Sequence, residues 1–345
     1  PRHQRVLMSP ITRKEQAFHQ RFFPVCPFYY FPSRVIRAII HKQNPTVLSS
    51  LAPFTYRPTV RGDLIPLADD AIVAAAQVMG VRPLLHLANL TETDSFSGEL
   101  AHALLSSPEA RTRLADNLME ILRRKGYRGI DVDLESVFPE DAQNYVRFLF
   151  LLRERLEPLG YPLLAALAPK TSASQQGELY QGHDYRGLGE AANGVLLMTY
   201  EWGYAFGPPM AVAPLDQVRR VAEYALMEIP AEKLWLGIPN YGYDWQLPYE
   251  RGVTRAQTIG NVQAVDLAVE NGALIRYAQT AQSPWFTYKK SGMDHVVWFE
   301  DVRSIQAKWK LVQELDLAGA WYWNLMRKFR GNWLMLESPD AGRNT

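Results

Sequence analysis

Residues 127–135 read YRGIDVDLE. Asp131, Asp133 and Glu135 occupy every second position, with Ile130, Val132 and Leu134 in the places between. Such alternation marks a strand whose two faces meet different surroundings. In a closed barrel the apolar set would face the helices, and the three carboxylates would point inward. Burying an ionised carboxylate is costly unless it is paired or hydrogen-bonded. Three in one column repel each other, so the expected relief is a shared proton and at least one raised pKa.

Outward from this stretch, strand-like and helix-like segments alternate. Strands are predicted at 25–31, 46–56, 82–90, 127–135, 162–170, 192–203, 232–245 and 317–325. Helical spacing predicts helices at 33–43, 68–80, 97–125 with a break at Pro108, 139–160, 214–229 and 304–316. Gly80 and Gly126 supply C-terminal stops. Eight strands, mostly separated by helices, predict an α/β fold of the (β/α)8 TIM-barrel class. A doubly wound nucleotide-binding sheet would bring a glycine-rich phosphate turn, and the sequence has none. Residues 1–20 read as a lead-in and 21–345 as a catalytic barrel. Residues 246–297 form a small insertion between strands seven and eight, in which ENGAL and KKSGMD resemble hairpin turns.

Composition narrows the function. The 37 basic and 36 acidic residues nearly cancel, which argues against a nucleic-acid partner. With one cysteine, Cys26, no intramolecular disulfide can form, so the redox compartment is not legible. No apolar run is long enough to cross a membrane, and the first residues lack the apolar core of a signal peptide. The 17 Tyr, 14 Phe and 9 Trp fit either a packed core or a groove that stacks flat, partly apolar rings.

Glu135 falls at the C-terminal end of its strand, where barrel enzymes place their chemistry. The sequence has no HExxH motif, and His86 and His183 stand alone, so a metal site is not indicated. No G-x-S-x-G elbow is present for serine catalysis. Acid catalysis fits the acidic strand best. Strand positions two apart lie roughly 6–7 Å apart, so Asp133 can support Glu135 against one substrate ring. It is poorly placed to attack from the opposite face. The column thus supplies a general acid and a helper, without an obvious enzymic nucleophile.

The acidic strand resembles glycoside hydrolase family 18, whose motif is D-x-x-D-x-D-x-E. The last three acids match Asp131, Asp133 and Glu135, whereas Arg128 stands in place of the first. LLMTYEW (196–202) is similar to the family's sixth-strand segment, with Glu201 where chitinases have Asp. AWYWNL (320–325) is similar to the eighth-strand segment, with Trp323 at the tryptophan that floors the sugar site and Trp321 as the alternate. LAPFTY, TYEWGYAFGPPMAVAPLDQV, LGIPNYGYDW, WFEDVRSIQAKWKL and NWLMLE resemble the bacterial branch containing spore cortex-lytic N-acetylglucosaminidases. The resemblance covers about 22–338. Wall-binding LysM repeats, common in that branch, are not visible.

The resemblance implies retaining, substrate-assisted cleavage of β-1,4-linked N-acetylglucosamine glycans, with no cofactor and no metal. Glu135 would protonate the glycosidic oxygen, and Asp133 would orient the attacking 2-acetamido group. Asp131 would tune Asp133, and Tyr200 would bond near the acetamido oxygen. Met198, Glu201, Trp202 with the GYAFGPP loop, Asn240, Tyr241 and Trp323 are further candidates for the sugar site. Tyr29, Tyr56 and Asn89 are added from other strand ends. The expected substrate is peptidoglycan or spore cortex, acted on by a monomer at the cell envelope, in the spore or outside the cell. Chitin oligomers are the alternative substrate, and an inactive glycan-binding barrel is the alternative function. A conventional retaining glycosidase with Glu201 as nucleophile is a third reading.

Overall fold

A computed structural model describes residues 35–41 and 48–337. A nine-stranded sheet forms a nearly closed barrel. Two of its strands, Arg82–Pro83 and Leu85–Ala88, are one stave interrupted at Leu84, so eight staves surround the axis. In chain order they are Val35–His41, Leu48–Phe54, the interrupted third, Ile130–Asp133, Leu163–Leu167, Gly194–Leu197, Leu234–Pro239 and Gly319–Trp323. The third stave joins the second through parallel pairs Ser50–Arg82 and Leu51–Pro83 and the bridge Tyr56–Leu87. Staves three to eight run parallel.

The first stave corrects the sequence reading. Residues 33–43 were expected to be helical, but Val35–His41 is a strand, antiparallel to both the second and eighth staves. Its β-branched Val35, Ile36, Ile39 and Ile40 favour extended backbone, and two pairing edges override an ambiguous helical spacing. Ile36 and Ala38 join the layer under the helices, while Arg37 takes the opposite parity and enters the barrel. The strand expected at 25–31, the lead-in, Cys26 and Tyr29 lie outside the described residues.

The helices follow their local signals. Ser107 caps the helix Pro108–Lys125 by accepting from Ala110 N–H, and Pro108 sits in the first turn, where its missing donor is harmless. Gly126 ends that helix at φ 77°, a left-handed conformation that glycine adopts without a steric penalty. Three helices, Tyr185–Ala191, Asn261–Glu270 and Arg330–Glu337, lie beyond the expected set. Leu114, Leu118, Phe148, Val221 and Ile305 pack this layer against outward barrel residues such as Ile130, Val132 and Leu134. Inside the barrel, Ala52, Leu84, Leu164, Ala166, Leu196, Met198 and Trp321 form a separate apolar cluster. The acidic column rises beside that cluster.

The seventh predicted strand is two strands. Leu234–Pro239 stays in the barrel, whereas Gly242–Gln246 leaves it for a five-stranded antiparallel sheet. That sheet, with the helix Asn261–Glu270, packs around Phe286, Val297 and Phe299. KKSGMD is the turn between Ser283–Lys290 and Met293–Trp298. Ser291 and Gly292 both take positive φ there, as a tight two-residue hairpin requires. ENGAL is instead the end of the helix Asn261–Glu270, with Gly272 at φ 60°.

Candidate active site

The fourth stave turns Asp131 and Asp133 into the barrel, both buried. Arg37 meets them there. Its Nη1 donates to Asp131 Oδ2 at 2.8 Å and its Nη2 to Asp133 Oδ2 at 2.7 Å. The guanidinium also lies 4.4 Å from the Trp321 ring centroid and 5.7 Å from that of Trp323. His86, level with Asp131 on the neighbouring stave, places Nε2 3.5 Å from Asp133 Oδ2. Thr55 Oγ1 holds the other ring nitrogen at 2.6 Å.

This changes how the column is neutralised. Burial alone would raise Asp133, but Arg37 and then His86 overcome it and pull the carboxyl down to about 2. Burial alone would likewise discourage charge on Arg37, yet Asp131 and Asp133 hold it more firmly protonated than usual. Asp133 is thus held ionised by Arg37, and the expected proton sharing does not govern it. The raised carboxyl is Glu135, half-buried at the top. Burial is the main cause, and Asp133 adds to it by repulsion. Arg37 opposes the rise without cancelling it.

Glu135 is held by its backbone. Its N–H donates to Asn89 Oδ1 at 2.9 Å, and Asn89 Nδ2 donates to its carbonyl at 2.8 Å. Ser136 follows at φ 54°, so the chain bends sharply as it leaves the strand. Behind this bend, His183 accepts from Ala168 N–H through Nδ1 at 2.9 Å and faces the Leu134 carbonyl through Nε2 at 2.9 Å. Burial drops His183 to about 4, so it is a neutral structural ring.

Glu135 opens onto a cleft of about 330 Å³. Met198, Tyr200, Glu201 and Trp202 form one wall, and Thr171, Gln175 and Tyr180 of the loop after the fifth stave form the other. The sixth stave ends at Leu197, sooner than expected. Strict alternation would have turned Glu201 away from Tyr200. At φ 66° the left-handed backbone brings it round instead. Its carboxylate accepts from Tyr241, and from Tyr243 at 3.0 and 3.1 Å. Partial burial raises Glu201 and these hydroxyls oppose the rise. Burial also pushes Tyr200 well above the ordinary phenol range, so it remains a donor at neutral pH.

Trp323 is half-buried beyond Glu201, in a second cleft shared with Tyr243 and Asn324. Trp321 is buried and donates to the Leu197 carbonyl at 3.1 Å, so it plugs the barrel. The Trp202 N–H bonds Val212 at 3.1 Å and the Gly203 N–H bonds Ala211 at 2.9 Å. At Gly203 a Cβ would fall 2.1 Å from the Met210 carbonyl oxygen, so only glycine closes this loop.

Some predicted residues occupy other places. Asn240 spends its Nδ2 on the carbonyls of Asn324 and Arg327, at 2.9 and 2.8 Å, and so fixes the turn after Trp323. Asn89 is buried beneath the Glu135 backbone. Tyr56 lies in the outer layer near Tyr127 and Lys125, away from the cleft. Arg128, where the acidic motif departs from its pattern, is exposed beside Tyr161. Sequence reasoning missed Arg37, Tyr243 and the role of His86. Parity could have placed His86 inside the third stave, but nothing local announces Arg37. Among the described residues no cluster of histidine, cysteine and carboxylate side chains could hold a metal.

Residues 89–327 match the profile of glycosyl hydrolases family 18. The chain belongs to that family. It is a glycosidase with the family's barrel. It is 44% identical to the cortical fragment-lytic enzyme of Bacillus subtilis over 293 residues, covering 84% of this chain and 67% of that protein. The crystal structure of the Bacillus cereus spore cortex-lytic enzyme SleL is similar with a TM-score of 0.82 and 36% identity, covering 88% of this chain and 71% of that one. A chitinase from Chromobacterium violaceum is similar with a TM-score of 0.78 and 25% identity, covering 86% and 92%.

Proposed function

We propose that this glycosidase is an N-acetylglucosaminidase that cleaves β-1,4 bonds of spore cortex peptidoglycan by substrate-assisted, retaining catalysis. The observation that carries the reading is the split in the acidic column. Asp133 is held ionised beside Arg37, while Glu135, one rung higher and open to the cleft, has a raised pKa. A protonated acid above a fixed anion is what this chemistry needs.

Glu135 gives its proton to the glycosidic oxygen as the bond to the anomeric carbon breaks. The carbonyl oxygen of the sugar's own 2-acetamido group forms the new bond to that carbon, giving a positive oxazolinium. Asp133 orients the acetamido N–H and balances the charge; its Oδ1 has no hydrogen-bond partner among the described residues. Asp131 and Arg37 hold Asp133 from below. The Tyr200 hydroxyl donates toward the acetamido oxygen. Water, deprotonated by Glu135, then opens the intermediate with net retention. Trp323 supports the neighbouring ring face.

The cortex assignment leans on the cortical fragment-lytic and SleL relatives, and it implies action in the spore or envelope. Glu201 is a poor nucleophile for the conventional alternative, because two tyrosine hydroxyls already hold its carboxylate. Mass spectrometry of digested cortex peptidoglycan and chitin oligomers tests the reading. Products ending in reducing N-acetylglucosamine are expected from cortex, with turnover falling at least about 100-fold in Glu135→Gln. Equal turnover by wild type and Glu135→Gln would remove the enzymic role of Glu135. Products ending in reducing muramic acid would remove the N-acetylglucosaminidase assignment.

A further inference from the structure

The second cleft, about 260 Å³, runs beyond Glu201 and is lined by Tyr243, Thr258, Trp323, Asn324 and Arg327. Arg327 is half-buried. Among the described residues its guanidinium has no hydrogen bond, ion pair or ring partner, although its carbonyl is fixed by Asn240. Arg37 by contrast pairs both of its Nη groups, with Asp131 and Asp133. Gly260 lies beside the Arg327 side chain, where a Cβ would make only ordinary contact, 3.7 Å from Cδ and 3.8 Å from Nη1. Glu201 is the other charge lining this cleft, and Tyr241 and Tyr243 already hold it. The cleft therefore presents an arginine fork that is not paired with the Glu201 carboxylate, beside a half-buried indole. A guanidinium matches a carboxylate with two parallel bonds, and the indole offers a flat surface to a sugar ring.

Chitin carries no anion. In a wall glycan N-acetylglucosamine alternates with a muramoyl sugar, whose lactyl ether ends in a carboxylate or in a peptide with carboxylates of its own. If N-acetylglucosamine fills the cleft at Glu135, the adjoining sugar is muramoyl. We propose that Arg327 binds the carboxylate borne by that muramoyl substituent and thereby sets the preference for wall glycan over chitin. This rests on the N-acetylglucosaminidase reading above and deepens it.

The test compares wild type with Arg327→Gln on three soluble substrates of equal length. These are glycan strands with free lactyl carboxylates, the same strands with the carboxylates methyl-esterified, and chitooligosaccharides. A fourth, peptide-bearing strand distinguishes a lactyl carboxylate from a peptide one. The ratio of kcat/KM for carboxylate strands to that for chitooligosaccharides should fall about 10- to 100-fold in Arg327→Gln, mainly through KM. Esterification should produce the same fall in wild type and little further loss in the variant. A ratio unchanged by Arg327→Gln, with wild type still active on wall glycan, overturns the proposal and leaves the enzymic reading standing. Wild type that cleaves chitooligosaccharides only overturns both the wall assignment and the role of Arg327. Calorimetric binding of free-carboxylate and esterified strands to Glu135→Gln, with and without Arg327→Gln, gives a second readout independent of turnover. Equal affinities in all four combinations would also overturn the proposal.

Discussion

Glu135 carries two opposed demands, one for catalysis and one for stability. Its folded-state pKa is raised, so the folded protein binds its proton more tightly than the unfolded chain. The associated stability is complete below the ordinary carboxylate pKa of about 4.3 and is lost as pH rises through the raised value. Glu135→Gln should therefore melt higher than wild type at neutral pH, on the order of 2 °C. The gain should vanish toward pH 4, and calorimetric scans across that range would check it. Asp133 behaves in the opposite sense. Its ionised form contributes stability above about pH 3.9, and this is lost only as pH falls through about 2. Arg37 sets both. Replacing it with methionine removes a cation that lowers Asp133 and also restrains Glu135, so both should rise. Both limbs of the kcat/KM profile should move to higher pH, and stability should fall about 3–5 kcal/mol from the stranded buried carboxylates. Unmoved limbs would show that Arg37 has no electrostatic role.

At the scale of elements, the acidic strand was legible because period-two alternation of charged and apolar residues fits a two-faced strand and no helix. Two departures from the simple patterns have physical causes. Residues 33–43 satisfy helical spacing over one short run, and sheet pairing on both edges decided the conformation. Glu201 breaks alternation because its backbone is left-handed, which a glutamate sequence does not signal. Asn89 looked like a strand-end contact, yet it closes two backbone hydrogen bonds of Glu135. Asn89→Ala leaves a buried N–H and C=O without partners. It should cost about 2–4 kcal/mol in denaturant unfolding and lower kcat more than it raises KM.

Across the whole molecule, the insertion is tied to the rim of the cleft. Trp245 Nε1 donates to the Gly207 carbonyl at 2.9 Å, the Tyr249 hydroxyl bonds the Phe206 carbonyl at 2.9 Å, and Ala256 N–H bonds Ala205 at 2.7 Å. These hold the loop that projects exposed Tyr204 and Phe206. The sequence reading places an insertion at 246–297 but gives no sign of these ties, because they join residues about 40 positions or more apart. Trp245→Phe keeps the buried ring and removes the hydrogen bond. It should raise KM for long glycan strands severalfold more than for disaccharide glycosides, as steady-state kinetics on the two lengths would show. The barrel, the insertion and the antiparallel first stave together serve one chemical arrangement: a proton donor above an anion, and a substrate that supplies its own nucleophile. The most direct measurement is kcat/KM on one disaccharide glycoside carrying acetamido, difluoroacetamido or trifluoroacetamido at the reacting sugar. Fluorine weakens the carbonyl oxygen as a nucleophile, so the rate should drop stepwise, by about 100-fold or more across the series. A flat series would mean that the enzyme supplies the nucleophile and would contradict the account.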